Sequence, residues 1–323
     1  MDKKKFFSTT GFAYFMLVVL WIGVQMLFSI IIQAVAPGSI YRHPLLYWVL
    51  SCAPLYLAAM PVCARIMRRL PAMKLYKNKM TGSKWFSTLC IAVFITFAGN
   101  LIGNGVSALL SRLTGLEITS SIEEMLTGGD LGYVFLFSVI LAPILEELVF
   151  RKLLIDRVIV FGDRTAILLS GLFFGMIHGN FYQFFYAFGL GCLFAYVYIR
   201  TGKIGYSISF HMAINFLNGF LTSALLDRLD YEQWISGSST EYMIAAVFSH
   251  LGALIGLGLL LLLLFGLGIA GLVFFIMSLR KIDLYSGEYE MPAGQTFRTV
   301  FGNIGTVLFL ISIVVLFILN IIP

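Results

Sequence analysis

The sequence predicts an all-α, polytopic membrane protein of about eight or nine transmembrane helices. Composition is the first reason. Of 323 residues, 59% are Ala, Val, Ile, Leu, Met, Phe, Trp, Tyr or Cys and 12% are charged, against roughly 45–50% apolar and about 25% charged in soluble domains. Mean hydropathy is the second, at +0.93. The third is pattern: the apolar residues fall in long unbroken runs, whereas a barrel strand alternates over about ten residues. Such a chain would aggregate as a soluble protein and is too apolar to stay disordered. Cys52, Cys63, Cys90 and Cys192 show no C-x-x-C spacing and read as small core residues.

The apolar runs lie near residues 11–36, 45–64, 85–112, 131–156, 165–179, 181–199, 204–225, 242–278 and 298–322. The first follows Lys3, Lys4 and Lys5 and precedes Ala34-Val35-Ala36. It is too long for the 7–15-residue core of a signal peptide, so it is read as a retained helix. The fifth run is short for a span, and the eighth is long enough to tilt or project. Three regions organise the chain: 1–129 with N-terminal helices and a basic loop, 130–225 as the core that carries the chemistry, and 226–323 with C-terminal helices.

Charge orients these spans. Positive loops stay cytoplasmic. With nine spans the cytoplasmic side collects Lys3–Lys5, then Arg65, Arg68, Arg69, Lys74, Lys77, Lys79 and Lys84, then Lys152, Arg157 and Arg164, then Arg200 and Lys203, then Arg280, Lys281 and Arg298. The opposite side collects Glu117, Glu123, Glu124 and Asp130, then Asp227, Asp230, Glu232 and Glu241. The net charge of +6 is therefore a matter of topology with a cytoplasmic N-terminus. Because the basic residues flank spans, a nucleic-acid partner is not expected.

Ionisable residues inside spans cost about 2.5–3.5 kcal/mol each at a helix centre and need a partner or a task. Three runs hold them. The fourth reads Leu141-Ala142-Pro143-Ile144-Leu145-Glu146-Glu147-Leu148-Val149-Phe150-Arg151. Neighbouring residues of an α-helix point about 100° apart, so Glu146 and Glu147 are not expected to face one cavity. Glu147 and Arg151 have the favoured i,i+4 order for an ion pair, which leaves Glu146 unpaired. Pro143 can bend the helix beside it. In the fifth run, Gly171 and Gly175 form a G-x-x-x-G face, with His178 one turn beyond on nearly the same side. In the seventh, His211 and Asn215 share a face. From the cytoplasmic ends these groups lie within about 10 Å of a common depth.

One carboxylate, two imidazoles and an amide suit hydrolysis by water. Glu146 is placed to act as general base on a water also held by His178, with His211 and Asn215 as donors to an oxyanion. The same residues read equally as a His₂Glu zinc set with an open water position. H-E-x-x-H, G-x-S-x-G and G-x-G-D are all absent. A transporter or non-catalytic membrane protein using Glu146, Arg151 and the histidines is the other class of reading. No second copy of these segments is seen, as a transporter repeat would supply.

Glu146-Glu147-x-x-x-Arg151, Phe174-x-x-x-His178 and His211-x-x-x-Asn215, in that order, resemble the three motifs of the CPBP family. That family comprises type II CAAX prenyl proteases and related bacteriocin-processing or immunity (Abi) proteins. The resemblance covers residues 130–225 and implies an intramembrane endopeptidase of a bacterial cell membrane. It maps water activation to Glu146 and His178, the oxyanion to His211 and Asn215, and support to Glu147 and Arg151. It implies a protein or peptide substrate, lipidated in CAAX proteases, beside the bilayer itself. Members are described both as metalloproteases and as metal-independent glutamate proteases, so a zinc ion stays open, as does oligomeric state. The orientation is directly testable. A cysteine introduced at Lys77 should react with an impermeant maleimide only after the cytoplasmic face is opened; labelling in intact cells contradicts it.

Overall fold

A computed structural model describes residues 1–116, 130–229 and 247–321. The acidic residues Glu117, Glu123, Glu124, Asp230, Glu232 and Glu241 lie outside that set. Among the described residues the chain is helical, with α1 (Lys3–Val35), α2 (Pro44–Met67), α3 (Gly82–Thr114), α4 (Leu131–Phe161), α5 (Asp163–Met176), α6 (Phe181–Thr201), α7 (residues 204–227), α8 (Leu251–Leu279), α9 (Ala293–Phe301) and α10 (Ile304–Leu319). Six of these are long and apolar enough to cross a membrane: α1, α2, α3, α4, α6 and α8. The α9–α10 pair raises the number to seven if it counts as one span. This is a multi-pass helical membrane protein. Its lipid face is plain from exposed apolar side chains such as Leu57 (78%), Leu101 (77%) and Leu262 (70%), which no soluble surface would carry in such number.

The count of eight or nine spans is approximate, and the differences have physical causes. α5 has 14 residues, about 21 Å at 1.5 Å per residue, short of a hydrocarbon core of about 30 Å. Its C-terminal turn is instead closed by side chains. Asn180 Nδ2 donates to His178 O at 2.9 Å, Asn180 Oδ1 accepts from Gln183 N at 2.9 Å, and Asn320 Nδ2 beyond α10 donates to Gly179 O at 3.3 Å. Away from water such internal partners are obligatory. α7 contains His211, Asn215 and Asn218, which lower its apolarity. The last predicted run is broken by 70° between α9 and α10, where Asn303 caps α10 by accepting from Thr306 N at 2.9 Å.

Two apolar clusters organise the bundle. One joins α1, α4, α5 and α10 through Phe7, Tyr14, Phe150, Phe161, Phe173 and Phe309. The other joins α3, α6, α7 and α8 through Val93, Phe194, Phe210, Ile214 and Leu260. The α5–α6 hairpin links them. Its close approach is the G-x-x-x-G face at work: a Cβ on Gly171 would lie 2.5 Å from Cys192 Sγ and 3.0 Å from Cys192 N, and one on Gly175 would lie 3.0 Å from Phe184 O.

The basic segments meet at one end of the bundle, as the charge pattern requires. Met73 N donates to Asp156 O at 2.6 Å and Asn78 N to Thr201 O at 2.8 Å. Asp163 N donates to Tyr285 O at 3.0 Å, and Tyr289 N to Val160 O at 2.8 Å. Arg200 pairs with Asp163 at 2.6 Å and lies over the Tyr285 and Tyr196 rings. Two extended connections, around residues 70–80 and 281–290, thus strap the end of the α4–α5–α6 core.

Gly171→Val should destabilise the protein by about 1–3 kcal/mol through overpacking, read as unfolding in detergent. Gly23→Ala, with nothing within 4 Å of the added Cβ, should not. Equal stability of the two variants contradicts the packing described.

Candidate active site

Helix α4 is not a uniform α-helix. It runs through π-helical turns at Val134–Leu141 and Leu148–Leu153, with an α-helical stretch, Ala142–Glu147, between them. Pro143 lies within the continuous helix, where its missing N–H leaves a carbonyl of the preceding turn without an intrahelical donor. Wide turns offer carbonyls to neighbouring donors, and three helices respond. Asn215 Nδ2 of α7 donates to Ser138 O at 2.9 Å, Tyr14 Oη of α1 to Val149 O at 2.9 Å, and Ser170 Oγ of α5 to Phe150 O at 2.7 Å. π-Helical turns often mark functional positions; here they flank the pair of glutamates.

Glu147 and Arg151 form an ion pair, Oε2 to Nε at 3.1 Å, with both side chains 0% exposed. The contact is a charge pairing outside hydrogen-bond geometry, so Glu147 Oε2, Arg151 Nε and Arg151 Nη2 hold no hydrogen bond. Arg151 Nη1 donates to Ser170 Oγ at 3.1 Å. Its guanidinium lies 4.6 Å from the Phe174 ring centre and 5.9 Å from that of Phe194, a cation–π setting on the boundary of the two apolar clusters.

His211 is buried and faces both carboxylates. Its Nδ1 is 3.1 Å from Glu147 Oε1, and its Nε2 is 3.9 Å from Glu146 Oε2. Paired with Arg151, the Glu147 carboxylate accepts, so Nδ1 donates and Nε2 is turned to Glu146. The geometry of an ideal α-helix keeps neighbouring glutamates out of one cavity. The imidazole nevertheless bridges the two, from an α-helical stretch of six residues between wider turns. Glu146 is the more open of the pair, with 18% of its side chain exposed.

His178, at the end of α5, uses Nδ1 to donate to Phe174 O at 2.8 Å, which leaves Nε2 as an acceptor. The Phe174 ring has His178 on one edge at 5.0 Å and His211 at 5.6 Å. The structure therefore joins Glu146, Glu147, Arg151 and His211 by direct contact. It sets His178 beside them across Phe174, without a bond to Glu146. Asn215 spends one amide hydrogen on the Ser138 carbonyl. Among the described residues no three His, Cys, Asp or Glu side chains are placed to hold a metal ion, so Glu146, His178 and His211 do not converge as a His₂Glu zinc set.

Ser170, Phe194 and Tyr14 join the site without having stood out as polar residues in the wrong place. Ser170, Phe174 and His178 do recur at four-residue steps, the signature of one helix face, so Ser170 is recoverable from spacing. Phe194 and Tyr14 arrive from distant helices with no local signal.

Residues 129–217 match the family described as type II CAAX prenyl endopeptidase Rce1-like. Membrane-embedded CAAX protease MroQ of Staphylococcus aureus (strain USA300) is 29% identical over 121 residues, 34% of this chain and 48% of that protein. Putative membrane peptidase YdiL of Bacillus subtilis (strain 168) is 29% identical over 170 residues, 50% of this chain and 66% of that protein. The matches thus span about half to two thirds of these relatives. No solved structure matches. The resemblance to type II CAAX prenyl proteases is thus matched over the central segment of the chain, residues 129–217.

Removing one half of a buried ion pair leaves the other charge uncompensated, at about 3–5 kcal/mol. Glu147→Gln should therefore lower the melting temperature in detergent by more than it lowers activity, since Gln Oε1 can still accept from His211. Inactivation without loss of stability contradicts this division between the glutamates.

Proposed function

We propose, from this Rce1-like central segment, that the protein is an intramembrane endopeptidase. It hydrolyses a peptide bond of a membrane-associated, CAAX-type peptide with a water activated at Glu146. The observation that carries the reading is His211, bonded to Glu147 on one nitrogen and turned to Glu146 with the other.

The site's charges balance. Two carboxylates face one guanidinium and, when His211 is protonated, one imidazolium, so the buried cluster is neutral as a whole. Glu146 takes a proton from the water, while His178 Nε2 accepts the water's second hydrogen and fixes its lone pair. The water oxygen adds to the carbonyl carbon, and the carbonyl oxygen gains the negative charge. With Nδ1–H committed to Glu147, His211 donates to that oxygen from Nε2 as the imidazolium. The proton on Glu146 then passes to the departing amine as the C–N bond breaks. Asn215 contributes through its remaining amide hydrogen and by fixing α7 to α4. The substrate is drawn from the bilayer, and the N-terminus is cytoplasmic.

In liposomes with a quenched, farnesylated CAAX peptide, the native protein should cleave, and Glu146→Gln and His178→Ala should each be inactive while inserted and folded. Activity of both variants overturns the reading. Exhaustive chelation should leave cleavage intact; a stoichiometric zinc lost together with activity contradicts a water activated by the carboxylate alone.

A further inference from the structure

The end of the bundle that carries Lys3–Lys5 holds a cavity that the chemistry at Glu146 does not use. Helices α1 and α10 start side by side there, with Gly305 N donating to Ser8 Oγ at 3.2 Å. A space of about 700 Å³ opens between the two starts, within the size range of ligand sites. Lys4, Lys5 and Ser8 line it from α1, and Ile304 and Val307 from α10.

Donors prevail among its polar groups. Lys3 is drawn off to Glu290 O at 3.5 Å. Among the described residues, the ammonium groups of Lys4 and Lys5 hold no hydrogen bond or ion pair. Ser8 Oγ accepts from Gly305 N and keeps its own hydrogen to give. The acid in the lining is Asp2, and one of its oxygens caps α1 by accepting from Lys5 N at 3.0 Å. Two free cations thus face one half-committed carboxylate, a setting for an anion with several acceptor oxygens.

The depth of the cavity selects the anion. Helix α9 turns 70° away from α10, packs Val300 inward and leaves Phe297 exposed beside Arg298, as a helix in the headgroup layer does. The cavity lies at this break and so at headgroup level. Below it Ile304, Val307, Ile311 and Val314 recur at steps of three and four along α10, all exposed, and form one apolar stripe open to lipid. A charged head on an acyl chain satisfies both parts, whereas a soluble anion leaves the stripe unused. A zwitterionic head would bring an ammonium of its own towards Lys4 and Lys5.

We infer that this cavity binds one anionic phospholipid, with its phosphate between Lys4 and Lys5 and an acyl chain along the α10 stripe. The site stands apart from the endopeptidase reading, and its test involves no cleavage.

The full-length protein in mild detergent is titrated with dioleoylphosphatidylglycerol, and melting temperature and native mass spectra are read together. The lipid should bind saturably, raise the melting temperature and remain on the protein as a retained molecule; dioleoylphosphatidylcholine should not. Lys4→Gln combined with Lys5→Gln should weaken the apparent affinity about 30-fold, at about 1 kcal/mol for each basic residue near a lipid surface. Both side chains are exposed, so this variant should fold as the native chain does. Lys77→Gln combined with Lys79→Gln removes the same charge from the strap at residues 70–80 and should leave the affinity near native. Equal losses in the two double variants would reveal attraction to charge in general and overturn the site. Inorganic phosphate that protects as well as the lipid also overturns it. Phosphatidylglycerol with a photoreactive acyl chain should label residues 304–314 of the native chain; labelling only elsewhere overturns the assignment whatever the variants do.

Discussion

The Glu147–Arg151 pair, with neither side chain exposed to solvent, is the contact on which the rest of the site depends. Each charge alone would be prohibitively expensive in this environment. Together they are tolerable only because further partners surround them. Those partners come from different helices: His211 from α7, Ser170 and Phe174 from α5, and Phe194 from α6. Satisfying one ion pair on α4 therefore fixes the mutual placement of the helices that carry His178 and His211. Stability and chemistry share the same atoms, and the division of labour follows. Glu147 is closed off and committed, whereas Glu146 keeps an exposed edge.

The wide turns of α4 are what allow this crowding. Three side chains from three helices bond to its carbonyls at Ser138, Val149 and Phe150. Each supplies a directional contact where lipid supplies none. Helix association in membranes draws on such bonds and on close packing of small residues, and both are present around α5: Ser170 on the α4 side, Gly171 and Gly175 on the α6 side. The shortness of α5 has a related consequence. It brings the His178 turn inside the bundle, where Asn180 and Asn320 close it, and so delivers an imidazole to the level of Glu146.

Much of this is legible in the sequence because charges are rare in it. The i,i+4 spacing of Glu147 and Arg151 reveals the pair, G-x-x-x-G reveals the α5–α6 contact, and His211 stands out as a titratable group in an apolar run. What stays hidden depends on departures from ideal helices or on distant chain segments. The 100° rule for Glu146 and Glu147 assumes an unbroken α-helix, and α4 is not one. Spacing from His211 points Asn215 at an oxyanion, yet the Ser138 carbonyl takes one of its hydrogens. The break between α9 and α10 falls at Gly302-Asn303 within a run whose composition reads as one helix.

In the proposed reading, Glu146 is the residue that makes this cluster an active site. The most direct test of that claim works with the substrate still unidentified. Peptides in membranes from cells making the native protein are compared with those from cells making Glu146→Gln, at equal levels of inserted protein. At least one membrane-associated precursor should accumulate uncut in the variant, and its cleaved product should disappear. Identical peptide inventories in the two membranes would contradict a catalytic Glu146.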